Sequence, residues 1–460
     1  MRFHSVCLSV QQRLCLLLLG VWLILAAQTE NAFAAPIVLG QSVVLLNAPW
    51  KFHVGDNSRW ADGAFDDSQW ETVDLTPPPG AHDGDVGLSG YVPGWSMRGH
   101  RFYAGFAWYR MRVSVTAPAG DTLALTGPAD VDNVYQVFFN GKLLGSDGDF
   151  SQARPVIYSI QPRIYSLPRY LWKAGPGGAY TGVVAFRVWM SAAAAAVPDS
   201  GGMHIAPALG NSQGISARYQ LQWLQTFEGY IVDVTEPILF VLVAVMALSL
   251  RPFDRKDSFY VWLGVALALL GAARANQGFY FWLQEESLLQ FAVIRLVLID
   301  SLVLGAWLMA WRAYFVPRRH NWVVAAIAAL TFACIVSQLF GHSTIWPALP
   351  QGLIAAFHTI STYVRYLFVL LLAFIVGRGI LERGREAWIA LPSVILVAIG
   401  LFAQELTALG VPGIWFPFGV GVSRTEYAYA GLVIALFVLL LHRLLGFARR
   451  SESLSDQAAA

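Results

Sequence analysis

Two patterns of hydrophobicity divide the chain. From about residue 36 to 225, apolar and polar positions alternate in short runs that Pro and Gly repeatedly interrupt, the two-residue period of half-buried strands. Trp108 to Val115, Thr122 to Leu125, Val134 to Phe139 and Val183 to Trp189 read most clearly as strands. Asn140-Gly141 follows one of them directly and predicts a hairpin, because both central residues of a two-residue turn take positive φ. After Tyr230 the alternation gives way to apolar segments that predict seven helices, at about 231–250, 258–277, 288–311, 322–340, 352–377, 388–408 and 428–447. Each is long enough for a hydrocarbon layer of ~30 Å. The predicted fold class is a membrane protein, with an exported all-β sandwich followed by an all-α seven-helix transmembrane bundle.

The N-terminus refines this division. Arg2, His4 and Arg13 precede an apolar stretch from Leu14 to Ala27, then polar Gln28 to Asn31 and the triplet Ala32-Phe33-Ala34. That order predicts a secretory signal peptide over 1–34 cleaved after Ala34; an uncleaved anchor is the alternative. The expected domains are then 36–225, 231–447 and a short tail, 448–460.

Basic residues set the expected topology. With residue 230 outside, the inner connections hold Arg251, Arg255, Lys256, Arg312, Arg318, Arg319, Arg378, Arg383, Arg385, Arg443, Arg449 and Arg450. The outer side holds Arg424, with Arg274 at an outer helix end. Lys and Arg concentrate on cytoplasmic loops, so the sandwich is expected in the periplasm and the C-terminus in the cytoplasm of a bacterial inner membrane. A signal peptide predicts the same orientation. Tyr280, Trp282, Trp346, Trp415 and Phe416 fall at the outer helix edges, where an interfacial aromatic belt belongs.

Composition agrees with a bilayer partner. Hydrophobic residues make up 56% and charged residues 13% of the 460-residue chain, against ~25% charged in soluble domains. A net charge of +2 without a Lys/Arg block excludes nucleic acid, whose backbone needs a clustered basic surface. Cys7, Cys15 and Cys334 build neither a disulfide framework nor a thiolate metal site.

Candidate chemistry lies in two places. Ionisable groups inside apolar helices are costly unless paired or facing a cavity. Asp300 and Arg365 each fall about 12 or 13 residues from an outer helix end, matching depths near the bilayer centre at ~1.5 Å per residue, and are expected to pair. Arg295, Glu405, Glu236 and Arg274 fall in the outer third and predict a polar outer cavity. The second place is the Gly-rich segment 77–106, with Tyr91, Trp95, Arg98, His100, Arg101 and Tyr103 as expected ligand contacts; packing of the segment on itself or docking on the helices is the alternative. His82, Asp83 and Asp85 offer ligands to a divalent ion without a fourth at fixed spacing, so neither metal nor cofactor is expected. Asp and Glu occur singly or in the Asp66-Asp67 turn, and no acid–nucleophile pair is nominated; the chain is expected not to be an enzyme.

The series Trp50-Lys51-Phe52, Gly55-Asp56, Trp60, Phe65 to Pro77, Trp108-Tyr109-Arg110 and Val134 to Gly145 resembles the galactose-binding-like jelly roll of β-galactosidase-type glycoside hydrolases, where it is a non-catalytic sugar-binding domain. Joined to seven helices, the architecture resembles the bacterial seven-transmembrane receptors with diverse intracellular signalling modules. That resemblance implies a periplasmic small-molecule ligand, carbohydrate among the classes, and output through a kinase, diguanylate cyclase or phosphatase. Only 448–460 follow the last predicted helix, so the output partner is expected on a separate chain or beyond a shortened reading frame. A transporter or export component with a periplasmic capture domain is the alternative, against which Pro237 and Pro392 count by falling near helix ends. A scaffold for envelope partners is the third reading.

Overall fold

The computed structural model describes residues 43–459 except 48, 118–119, 176–178, 256, 317–320 and 418. The expected signal peptide with Cys7 and Cys15, and the expected inner-loop residues Lys256, Arg318 and Arg319, lie outside the described residues. A β region is followed by a helical region, and the two form one compact unit.

The strands are β1 (Val43–Leu45), β2 (Trp50–Val54), β3 (Glu71–Val73), β4 (Gly105–Val115), β5 (Leu123–Thr126), β6 (Asp130–Asp132), β7 (Val134–Phe139), β8 (Lys142–Asp147), β9 (Ile164–Leu167), β10 (Lys173–Ala174), β11 (Tyr180–Met190), β12 (Gly202–Ile205) and β13 (Ala208–Asn211). One sheet runs β1-β13-β5-β9. The other runs β3-β2-β4-β11-β7-β8 with β10 also on β11, and β12 pairs β6. Long β4 and β11 pair from Gly105–Met190 to Val115–Tyr180 and form the spine. Asn140 and Gly141 adopt φ of 48° and 87° between β7 and β8, the conformation their turn demands.

Alternation along β4 puts Tyr109, Met111 and Val113 into the core between the sheets, with Trp50, Phe52, Tyr135 and Phe186. Trp108 and Arg110 point the other way and are covered by the segment between β2 and β3. There Ser68 N–H donates to Asp66 Oδ1 at 3.0 Å, an Asx turn that presents Asp67 to Arg110. The Arg110 side chain is fully buried. Its Nε donates to Asp67 Oδ2 at 2.8 Å, and its Nη atoms donate to the carbonyls of Trp60 and Asp62.

The helices are α1 (Ser212–Leu250), α2 (Phe259–Trp282), α3 (Leu288–Phe315), α4 (Asn321–Gly341), α5 (Gln351–Arg383), α6 (Arg385–Leu401), α7 (Ala403–Ala408) and α8 (Arg424–Ala459). Six of them, α1 to α5 and α8, are long and apolar enough to cross a membrane, whereas α6 has 17 residues. Phe259, Trp307, Trp311, Phe315 and Phe368 fill their common core. Large side chains facing away from it are apolar too, among them Leu239, Leu242, Val245, Ile434 and Val438.

The helices depart from expectation in several places. The first helix begins at Ser212, not near 231, because the Asn211 side chain caps it by accepting from Gly214 N–H at 2.8 Å; the expected domain boundary therefore falls inside a helix. Pro237 in consequence lies well within α1, and Pro392 lies inside α6. In α3, residues Ala292–Ile299 form a π-helical segment. The expected sixth helix is split at Phe402 into α6 and α7, and the expected tail continues α8 to Ala459.

The buried Arg110 supplies a test. Arg110→Met leaves the Asp67 carboxylate with only Arg112, at 3.0 Å, and should cost about 3–5 kcal/mol, the range for breaking a buried pair. Adding Asp67→Asn should restore part of that loss, as read by calorimetry of the full-length protein in detergent.

Candidate functional site

The site grows from one turn of the β region. Asp83 accepts backbone N–H groups at Oδ1 from Asp85 (2.7 Å) and Val86 (2.8 Å), and at Oδ2 from Leu88. This closes residues 83–88 into a tight loop whose outermost carboxylate, Asp85, faces the helices. Tyr230 of α1 donates its hydroxyl to Asp85 Oδ2 at 2.5 Å. The loop is wedged against a short hairpin, β14 (Ile414–Trp415) and β15 (Val422–Ser423), that precedes α8. His82 packs on the Phe416 ring at 4.2 Å. A Cβ on Gly421 would sit 1.7 Å from the Asp85 carbonyl oxygen, so only glycine admits this approach.

A second loop holds the end of α2. The last carbonyls of a helix lack intrahelical donors, and here the β region supplies them. Ser159 Oγ donates to the Tyr280 carbonyl at 2.7 Å and Gln161 Nε2 to that of Trp282 at 2.8 Å. Gln284 in turn donates to Asp147 Oδ1 at 2.6 Å and accepts from Arg163.

Between these two contacts lies a cavity of about 280 Å³, walled by Asp83, Asp85 and Asp130 from the β region and Gln222, Thr226 and Tyr230 from α1. Beneath it, among the helices, a second cavity of about 320 Å³ is lined by Asp85, Arg274, Arg295, Asp300, Arg365 and Gln404. Asp85 belongs to both.

The helical cavity brings together four of the six residues expected to form an intramembrane network, and the other two bond its walls. Arg274, 4% exposed, donates from Nε to Glu236 Oε2 at 2.8 Å and from Nη2 to Glu426 Oε1 at 3.3 Å, and pairs with Asp233. The expected pairing of Asp300 with Arg365 is corrected. Asp300 pairs with Arg295, five residues earlier across the π-helical segment, while Arg365 pairs with Glu405 and donates to the Leu401 carbonyl at 2.8 Å. Equal depth on two helices does not fix facing, and the break at Phe402 turns Glu405 toward α5. Asp233, Glu426 and Tyr230 were missed, and Asp85 was read only as an incomplete metal ligand. Asp233 and Glu236 lie three apart on an apolar helix, the spacing of one face, and that signal was available.

The expected ligand contacts of segment 77–106 are scattered. Trp95 is 1% exposed and packs on Phe52 and Tyr103 in the sandwich core, so it is corrected from ligand contact to core. Tyr91 donates to Asp199 Oδ2 at 2.9 Å and stacks on His204 at 4.9 Å. His100 meets Glu71 at 3.0 Å, exposed Arg101 lies over the Phe102 ring, and the Tyr103 hydroxyl donates to the Phe106 carbonyl. Arg98 is half-buried in the turn Trp95–Arg98. None of the six lines either cavity.

Behind the upper cavity stands a buried charge cluster. His204 faces the Val92 carbonyl with Nδ1 at 2.9 Å and Asp132 Oδ2 with Nε2 at 3.1 Å. With acceptors on both sides the imidazolium is favoured: burial opposes the charge, but the Asp132 hydrogen bond and the carboxylates of Asp130 and Asp132 outweigh it and lift His204 to about 9. Asp130 is pushed up to about 6 by burial. Burial also raises Asp132, but the His204 contact outweighs this and holds it below its ordinary range.

No family model matches the chain. Over 110 residues it is 34% identical to the β-galactosidase BoGH2A of Bacteroides ovatus, covering 22% of this chain and 11% of that protein. Among solved structures, a calcium binding mutant of Bacteroides uniformis β-glucuronidase 2 matches at 21% identity and TM-score 0.25, over 37% of this chain and 18% of that one. A β-glycosidase from Bacteroides vulgatus matches at 21% and 0.24, over 36% and 20%. The chain thus spans about a tenth of the curated relative's length. The expectation that the chain is not an enzyme is corrected by its likeness to a β-galactosidase over those 110 residues. That expectation rested on carboxylates that occur singly or in the Asp66-Asp67 turn; the fold places Asp83, Asp85 and Asp130 around one cavity.

Two measurements follow from the geometry. Stability contributed by the His204 pair should be complete below pH ~6.5, the unfolded value, and be lost as pH rises through about 9. The melting temperature should therefore fall across that window, and His204→Gln should flatten the fall. In a double-mutant cycle, Arg365 should couple to Glu405 by about 1–3 kcal/mol and to Asp300 much less.

Proposed function

We propose that this chain is a bacterial inner-membrane sensor of the seven-transmembrane receptor type with diverse intracellular signalling modules. In this reading the β region is an exported, galactose-binding-like jelly roll in the periplasm, and α6 with α7 makes the seventh crossing. A small molecule, carbohydrate among the candidate classes, acts on the junction, and a cytoplasmic kinase, cyclase or phosphatase module takes the output from the far end of the helices. The observation that carries this is the placement of Asp85: a β-region side chain bonded to α1 that also lines the charged cavity among the helices. The charge bias of the loops and the apolar outward faces of α1 and α8 support a bilayer around them.

The path to the far end is physical. Near the β region, Glu426 at the start of α8 binds Arg274 of α2. At the other end of the same two helices, Arg443 of α8 donates to Asp257 Oδ2 at 2.8 Å, just before α2, and to the Tyr260 hydroxyl at 3.1 Å. A shift of α8 against α2 changes both contacts together, the kind of two-position element that relays need.

Helix interruptions favour transport as a second reading. The π-helical segment and the break at Phe402 both flank the charged cavity, and discontinuous helices mark substrate sites in transporters.

The test is hydrogen exchange on the full-length protein in nanodiscs, comparing wild type with Asp85→Asn and Tyr230→Phe. The sensor reading expects altered protection around Asp257 and Arg443, at the far end, as well as at the junction. Change confined to the junction would remove it. Uptake of labelled sugar into vesicles that Arg365→Met abolishes would favour transport, and hydrolysis of aryl β-glycosides would favour an enzyme.

A further inference from the structure

The upper cavity has an unusual balance of hydrogen-bonding groups. Its walls carry the carboxylates of Asp83, Asp85 and Asp130, and no Lys, Arg or His is among its described lining residues. Gln222, 6% exposed, lines the same space, and its Oε1 is buried without a hydrogen-bond partner. A buried acceptor left unmatched costs about 1–3 kcal/mol. Acceptors therefore exceed donors here, and negative charge exceeds positive. The Tyr230 and Phe281 rings, stacked at 4.0 Å, form an aromatic part of the wall.

From this balance we infer that the cavity between the β region and α1 binds a small organic ammonium compound, its nitrogen held by Asp130 and Asp85 and a further donor by Gln222 Oε1. A volume of about 280 Å³ equals roughly nine waters at ~30 Å³ each, room for one small organic molecule. An organic cation fits better than a bare metal ion for two reasons. Among the described residues no three His, Cys, Asp or Glu side chains are placed to share a metal. Asp83 already directs both oxygens to backbone N–H groups. An uncharged sugar would satisfy Gln222 but bring no charge to Asp85, or to Asp130, whose burial His204 offsets only in part; aromatic faces and carboxylates together favour a cation.

The assignment names the ligand class of the proposed sensor and rests on that reading for its consequence, while binding itself is measured separately. Isothermal titration of the full-length protein in nanodiscs at pH 7.5 would use ethanolamine and D-glucosamine as probes, with D-glucose and Ca²⁺ as controls. Binding of at least one amine is expected, weakened tenfold or more by Asp130→Asn and by Gln222→Leu, and tightened by Gln222→Glu, which adds a charge without changing size. Circular dichroism of each variant checks its fold, and Gln222→Glu tests the idea by a gain that misfolding cannot mimic. No binding of either amine, equal binding by wild type and all three variants, or a response to D-glucose or Ca²⁺ that matches the amines would overturn the assignment. Amine binding without change in far-end hydrogen exchange would support the site and count against the relay.

Discussion

The structure depends on keeping charge inside an apolar helical region. Arg274 is almost wholly enclosed, and an ion moved from water into such surroundings costs several kcal/mol unless its partners are well placed. Asp233 and Glu236 from α1 and Glu426 from α8 supply those partners. One guanidinium thus fixes α1, α2 and α8 in a single arrangement, which generic apolar packing does not do. Rotation of any of the three about its axis would leave an unpaired charge in apolar surroundings.

That constraint reaches the β region through geometry. Loop 83–88 approaches so closely that Gly421 admits no side chain, and the end of α2 takes its missing donors from Ser159 and Gln161. The two parts therefore share a hydrogen-bonded boundary in which each satisfies groups the other leaves open. A flexible tether would leave the α2 carbonyls to water, whereas here their partners are fixed side chains.

Much of the architecture was legible because it follows from period and length. The β4 and β11 alternation, the Asn140-Gly141 turn and the long apolar helices are local signals, each carried by a few consecutive residues. What escaped was set by facing and by distant partners. Arg295 meets Asp300 because the helix between them is π-helical, a local rewinding that hydropathy does not encode. Residues 212–225 were read as the end of the β region, yet the Asn211 cap starts the helix there. Trp95 looked like a ligand contact in a Gly-rich loop, and the same loop folds back to bury it under Tyr103. The charged cavity itself was foreseeable from unpaired charges in apolar runs, while the correct partners required the tertiary fold.

Asp85 is common to the two cavities. A unit charge brought to about 8 Å from another, at an effective dielectric near 20, is worth ~2 kcal/mol, and that is about a thirtyfold change in an equilibrium. Ordinary coupling between sites is of the same size, ~1–3 kcal/mol. In the proposed sensor, compensating the Asp85 charge from the upper cavity is the event that rebalances the carboxylates around Arg274 below. Around that lower cavity each arginine is held by carboxylates, Arg274 by Asp233, Glu236 and Glu426, Arg295 by Asp300 and Arg365 by Glu405, while Asp85 lines it from the β region. In the proposed sensor, a cation or proton that reaches Asp85 acts on this network, and the junction converts chemistry outside the helices into a preference among their packings.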